Sequence, residues 1–163
     1  MKVLRLLSIF ALWILSAIPV AASNPKPADF AGTFSATLPE RAEILQLHAD
    51  GTAEITLSDQ VTAGAGGFTF SDSFGSWKIV GPRTLSARFL NLNFDISGPP
   101  TYTGVAVVDY RLNFASNLKT FSASCLGKIY PTGVDPFAAG SVPVVEFDCA
   151  YLDGFVYRRM PLD

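Results

Sequence analysis

Residues 102–114, with the sequence YTGVAVVDYRLNF, form the clearest strand pattern in the chain. Every second residue of this stretch, which we call one parity, has an apolar or aromatic side chain, namely Ala106, Val108, Tyr110, Leu112 and Phe114. The other parity carries Asp109, Arg111 and Asn113. Because successive side chains of a strand point to opposite faces, this stretch predicts a long β-strand with one buried face.

The same period-two pattern recurs on both sides of this strand. Runs rich in Phe, Val, Ile, Thr and Tyr alternate with turns rich in Gly, Pro, Asn and Asp, and no stretch has the spacing of a long amphipathic helix. Such strands must close on themselves or pack face to face. The sequence therefore predicts an all-β antiparallel meander of about eight to ten strands, closed into a small soluble β-barrel, with a β-sandwich as the alternative.

The hairpin around residues 49–51 fixes where the single histidine points. A two-residue turn would pair Ala49 with Thr52, whereas a three-residue loop with Gly51 in a left-handed conformation pairs His48 with Thr52. The second register places Leu45 and Leu47 on one face with the apolar residues of the next strand, and it sorts apolar from polar side chains better. We therefore predict that His48 faces outward.

Two segments interrupt the alternation. The run from 84 to 95 changes parity, because Leu85, Ala87 and Phe89 alternate in one phase and Leu90, Leu92 and Phe94 in the other. A bulge near Phe89 and Leu90, or burial on both faces, would explain the change. Within residues 68–80, Gly75 predicts a break between two strands.

Residues 1–22 have the order of a secretory signal peptide. A basic start at Lys2 and Arg5 precedes an apolar run from 6 to 18, then Pro19 and small residues before a predicted cleavage after Ala22. An uncleaved anchor is the alternative, although Pro19 shortens the apolar stretch below the length of a spanning helix. We predict an exported protein, periplasmic or secreted, with residues 23–163 as a single barrel domain.

Composition excludes several classes of function. Without residues 1–22 the chain has 141 residues with 10 basic and 14 acidic side chains, so it offers no electrostatic case for nucleic acid or for an anionic membrane surface. We expect no stable membrane insertion after cleavage of the leader. Cys125 and Cys149 both fall on apolar parities, and an exported chain favours a disulfide between them over two buried thiols. They do not form a metal site with the outward histidine.

The sequence offers little catalytic chemistry. It lacks the Gly-x-Ser-x-Gly and His-Glu-x-x-His motifs, and nothing in it indicates a cofactor. Glu146 and Asp148 lie two apart on one strand face, a spacing that acid–base catalysis can use, but an outward face that keeps a strand soluble explains them better. We therefore predict a binding protein rather than an enzyme.

The inward aromatic set is the candidate ligand site. In a closed barrel of about eight strands the interior either packs solid or holds one small ligand. Trp77 and Tyr110 each combine an apolar body with one polar atom that can orient a ligand. The predicted ligand-binding residues are Phe34, Leu47, Ile55, Trp77, Tyr110, Phe114 and Phe121.

Three short motifs carry a resemblance to known barrels. The motifs Gly32-Thr33-Phe34, Leu47-His48-Ala49-Asp50-Gly51-Thr52 and Phe74-Gly75-Ser76-Trp77, followed by a meander, resemble the calycin and lipocalin-like barrels. The allene-oxide-cyclase-type barrels are also similar. The resemblance implies an apolar interior that carries a small molecule or shapes a reactive one.

Three hypotheses follow. The first is an exported barrel that binds a small apolar ligand, and the second is a cofactor-free cyclase or isomerase of the same shape. The third is a solid-cored protein that acts through its surface loops at 59–67 and 131–143. Both ligand hypotheses require a cavity of roughly 300 Å³ or more. A large cavity with only apolar walls would favour carriage, whereas convergent polar groups with shifted pKa values in that cavity would favour catalysis.

Overall fold

The computed structural model describes residues 24–60 and 68–161. The predicted signal peptide and most of the predicted loop at 59–67 lie outside the described residues. Among the described residues, no helix has both the length and the apolar character needed to cross a membrane.

Strands dominate the structure of the described residues. In chain order they are β1 (Gly32–Leu38), β2 (Arg41–Leu47), β3 (Thr52–Leu57), β4 (Phe68–Phe70), β5 (Ser73–Gly81), β6 (Thr84–Asp95), β7 (Thr101–Phe114), β8 (Thr120–Pro131), β9 (Val145–Asp148) and β10 (Tyr157–Arg159). The helical elements within residues 24–60 and 68–161 are short: one α-helical turn, α1 (Pro27–Phe30), and two 3₁₀ turns at Ser58–Gln60 and Ala150–Leu152.

Eight of the strands close into an antiparallel barrel. Their order is β10-β1-β2-β3-β5-β6-β7-β8, and β10 closes the circle because it pairs with both β1 and β8. Two outer strands extend this sheet, β4 on the far end of β6 and β9 on β8. The predicted antiparallel barrel is confirmed in preference to a sandwich.

The β2–β3 hairpin has the predicted register. Leu45 pairs with Ile55 and Leu47 with Ala53, and the His48 amide donates a hydrogen bond to the Thr52 carbonyl (2.9 Å). Gly51 has a φ of 90°, a left-handed conformation that glycine adopts at little cost. His48 faces outward as predicted, where its Nε2 lies 3.8 Å from Glu54 Oε1.

The predicted irregularity near Phe89 is wrong. Strand β6 pairs with β7 without interruption from Thr84 to Asn93, and the register shifts only between Asn93 and Phe94. The buried parity of Leu85 and Phe89 continues to Asn93, which is 2% exposed, whereas Leu92 on the other parity is 46% exposed. The parity therefore never changes. Two asparagines occupy inward positions, and leucines occupy the neighbouring outward ones.

The predicted break at Gly75 is also wrong. Strand β5 runs through Gly75, and the interruption lies between β4 and β5, at residues 71–72. Gly75 is required by a close approach between strands, because a Cβ atom there would lie 1.9 Å from the Arg88 carbonyl oxygen. The glycine marks a tight strand contact rather than a turn.

One end of the barrel is filled by aromatic rings. Phe30, from the α1 turn, packs edge-on against Trp77 and Phe114, with centroid distances of 6.3 and 5.1 Å. Phe34 packs edge-on against Phe114 and Phe121 at 5.7 and 5.1 Å. Here β2 and β7 end and β6 and β8 begin. Such close-packed rings leave no room for a ligand inside the barrel at this end.

Cys125 and Cys149 form the predicted disulfide. The bond joins β8 to the residue that follows β9, with the two Cα atoms 5.2 Å apart. Both residues are buried, at 7% and 5% exposure. The bond therefore attaches the outer strand to the barrel wall.

We predict that the double variant Cys125→Ser/Cys149→Ser is destabilised by about 3.5 kcal/mol, because the disulfide restricts a loop of about 25 residues in the unfolded chain. Chemical denaturation of variant and wild type measures the difference. Thiol labelling of the unfolded, unreduced wild type is the control. Two reactive thiols there would show that the disulfide does not form.

Candidate ligand-binding cavity

A cavity of about 270 Å³ lies at the end of the barrel opposite the aromatic packing, where β2, β5 and β7 begin. Most of its wall is apolar, formed by Ile55, Leu57, Phe68, Phe70, Phe89, Ala106, Val108, Ile129 and Phe147. Phe147 reaches the wall over Gly127, where a Cβ atom would lie 2.0 Å from its ring. The outer strands thus contribute to the cavity, since Phe68 and Phe70 come from β4 and Phe147 from β9.

The volume limits the size of an occupant. At about 270 Å³ the cavity falls short of the roughly 300 Å³ that we required for both ligand hypotheses, a threshold that describes sites for drug-sized ligands. A buried apolar cavity of roughly 150 Å³ holds one benzene molecule, so this one has room for about ten non-hydrogen atoms. The cavity therefore suits one small ring compound or short chain and is too small to enclose a long lipid.

The remaining wall is polar and centres on Arg41. Its guanidinium lies 3.5 Å from the centre of the Tyr151 ring, over the ring face. One nitrogen of the group lies 3.1 Å from Asp59 Oδ2, and Nε lies 3.5 Å from Glu43 Oε1. The Asp59 carboxylate and the aromatic face therefore hold this cation in place, whereas the longer contact with Glu43 leaves Arg41 Nε and Glu43 Oε1 without a hydrogen-bond partner among the described residues.

Glu43 connects this polar wall to the filled end of the barrel. It is 1% exposed, and it accepts a hydrogen bond from the Tyr157 hydroxyl. The Tyr157 ring stacks on Phe121 with a centroid distance of 4.5 Å. A single tyrosine thus contacts the aromatic packing with its ring and the buried carboxyl group with its hydroxyl.

Burial shifts the pKa values of this network. It raises the pKa of Glu43 above its ordinary value, and the hydrogen bond from Tyr157 and the charge of Arg41 oppose this shift only in part. Burial likewise raises the pKa values of Tyr110 and Tyr151, with a further increase from the charge of Glu43. Both tyrosines line the cavity, so at neutral pH they present neutral hydroxyl groups to it.

We predict that Glu43→Gln becomes more stable relative to wild type as pH rises. The raised pKa means that folded Glu43 keeps its proton where the unfolded chain has lost it, so its stabilising contribution is complete below pH 4.5 and is lost as pH rises through the folded pKa. Glutamine does not ionise and keeps an acceptor for Tyr157. Denaturation curves from pH 4 to 8 measure the difference, and a pH-independent difference would contradict the assignment.

Two asparagines complete the polar wall. Asn91 Nδ2 donates a hydrogen bond to Ser73 Oγ at 3.2 Å, and Ser73 is itself 2% exposed. Asn91 Oδ1 and Asn93 Nδ2 are buried, and neither has a hydrogen-bond partner within the described residues. Both side chains border the cavity, but these two atoms are themselves covered, so a bound molecule reaches them only when the amide groups turn towards the cavity.

The structure divides the seven predicted ligand-binding residues between two regions. Ile55 and Tyr110 line the cavity. The other five are buried but do not line it, namely Phe34, Leu47, Trp77, Phe114 and Phe121. The indole N–H of Trp77, which we expected to orient a ligand, donates instead to the carbonyl oxygens of His48 and Thr52, each at 3.0 Å.

The sequence reasoning missed Asn91 and Asn93, which line the cavity, and Glu43, which is buried behind its wall. Glu43 shares the inward parity of Leu45 and Leu47, and Asn91 and Asn93 share that of Phe89. Extending each parity without interruption would have placed all three inside the barrel. The apolar residues between and beside the asparagines suggested that the buried face had switched, although these apolar residues face outward.

Comparison of the chain with protein-family models, with curated protein sequences and with solved structures finds no match. The fold and cavity define the class of protein by themselves: a small closed antiparallel β-barrel, filled at one end, with a partly polar cavity at the other.

Proposed function

We propose that this protein binds one small, mostly apolar molecule in the cavity at the end of the barrel where β2, β5 and β7 begin. It would act as an exported carrier, in the manner of a lipocalin. The observation that carries the proposal is a mostly apolar cavity of about 270 Å³ in a barrel whose other end is filled by aromatic rings. Concave apolar sites with a few polar groups are the usual form of small-molecule sites.

The disulfide supports the exported location. A bond between Cys125 and Cys149 persists in oxidising compartments and is rare in the cytosol. The basic and apolar order of residues 1–22 supports the same location, since it is the order of a secretory signal peptide.

Native mass spectrometry of the protein purified from its own source tests the proposal. We expect a population whose mass exceeds that of the mature chain by one small molecule, and we expect denaturation to release this molecule. Recovery of the bare chain alone, together with no binding of small apolar probes by the purified protein, would contradict the proposal.

A cofactor-free cyclase or isomerase is the second candidate. The observation that favours it is the convergence of Tyr110, Tyr151 and Arg41 on the cavity, with the buried carboxyl group of Glu43 behind them. Incubating the released molecule with a small fraction of fresh protein distinguishes the two candidates. A carrier leaves the molecule unchanged, whereas an enzyme interconverts it with an isomer over many turnovers and loses this activity in Tyr110→Phe.

A further inference from the structure

We propose that the ligand is a neutral molecule with one amide-like group, in which a hydrogen-bond donor and an acceptor lie side by side, and that this group binds to Asn91 and Asn93. The inference rests on the proposed function and specifies the chemical class of the ligand.

The first argument is the unsatisfied hydrogen-bonding capacity of the two asparagines. Asn93 is 2% exposed, and its Nδ2 has no acceptor among the described residues; Asn91 Oδ1 likewise has no donor there. Buried polar groups are rarely left unpaired, because desolvation without a hydrogen bond is costly. Both side chains border the cavity. Once the two amide groups turn towards the cavity, a ligand group that both donates and accepts would satisfy the two atoms together.

The second argument is the charge balance of the cavity. Among the described residues that line it, Arg41 is the cation. Its guanidinium already lies near Asp59, at 3.1 Å, and Glu43, at 3.5 Å. Because Asp59 already compensates this positive charge, a ligand carboxylate would gain little from Arg41 and would lie close to the carboxylate of Asp59. Burying such a charge is unfavourable, so the polar group of the ligand is neutral.

The third argument is the position of the apolar wall. Ile55, Phe89 and Val108 lie towards the middle of the barrel, whereas Asn93 lies near the end of β6. Phe89 packs edge-on against Tyr110 with a centroid distance of 5.4 Å, which fixes its ring as a wall. A ligand with a polar group at one end thus places its ring or chain inward and its amide-like group at the asparagines.

Three probes of matched size test this class, namely benzamide, cumene and benzoate. Each is titrated by NMR onto the wild type, onto Asn93→Leu and onto the control Asn113→Leu, which makes the same change at an exposed position of β7. We expect Asn93→Leu to weaken benzamide binding at least about tenfold and to change cumene binding less than about threefold. Asn113→Leu should change neither, and benzoate should bind the wild type at least about tenfold more weakly than benzamide.

The outcomes separate this inference from the proposed function. Three results would show that the amide-like class is wrong while the binding function stands. In the first, cumene binds and benzamide does not; in the second, Asn93→Leu changes the affinities for benzamide and cumene by the same factor. In the third, benzoate binds as tightly as benzamide. If neither neutral probe binds the wild type, the proposed function itself fails. Should Asn93→Leu not fold, acetophenone, which lacks the N–H donor, is compared on the wild type. Tighter binding of acetophenone than of benzamide would overturn the inference.

Discussion

An Ala106→Phe variant is expected to lose the binding of cumene almost completely. Ala106 is 3% exposed, lies on β7 and lines the cavity. A phenyl ring at this position would occupy much of the roughly 270 Å³ that a ligand needs. We expect the affinity to fall at least about 100-fold, which corresponds to about 2.7 kcal/mol. The change is measured by titrating cumene onto the labelled variant and following its NMR spectrum.

The matched control is Ala115→Phe. Ala115 is exposed in the turn after β7, so the same substitution there adds a ring without filling the cavity. Overpacking a core position costs roughly 1–3 kcal/mol, and a pre-existing cavity reduces this cost, so Ala106→Phe is expected to fold. Circular dichroism checks the fold of both variants. Wild-type affinity for cumene in a folded Ala106→Phe variant would place the binding site elsewhere.

A Phe34→Ala variant is expected to be destabilised by about 3–5 kcal/mol. Phe34 is fully buried, and its ring packs against Phe114 and Phe121 and under the Arg159 guanidinium. Removal of the ring leaves a void in close-packed surroundings that relax only in part. Since domains of this size are stable by about 5–15 kcal/mol, the loss is a large fraction of the total. Urea denaturation monitored by circular dichroism measures it.

Phe74→Ala is the control for this loss. Phe74 lies on the outward face of β5 and is 59% exposed, so its removal is expected to change stability by no more than about 0.5 kcal/mol. A similar loss in both variants would mean that the aromatic packing at the filled end contributes no special stability. A loss below about 1 kcal/mol in Phe34→Ala would contradict the packing described for this end.

The fold could be predicted from the sequence because apolar alternation sets the register. The β2–β3 hairpin shows this well, since the pairing of Leu45 with Ile55 puts Leu45 and Leu47 on the same side as the apolar residues of β3. The disulfide could be predicted for a similar reason: both cysteines fall on apolar parities of a chain whose sequence predicts export. Period-two patterns state which face is buried, and in a barrel that face is the inside.

The site could not be predicted as well, because burial alone does not say which end of a barrel is filled. Phe114 and Tyr110 have the same parity on one strand, yet Phe114 packs in the aromatic cluster and Tyr110 borders the cavity. The difference depends on the α1 turn, which inserts Phe30 at one end. The inward polar residues were hidden for another reason, since Glu43 and Asn93 resemble solvent-facing positions unless the register of their strands is already known.

The most direct test of a ligand-binding cavity is an NMR measurement of nuclear Overhauser contacts between bound cumene and the methyl groups of the wild-type protein. The account predicts contacts to Ile55, Ala106 and Val108, which line the cavity, and none to Leu47 or Leu85 at the filled end. Contacts confined to Leu47 and Leu85, or to exposed methyl groups outside the barrel, would contradict it.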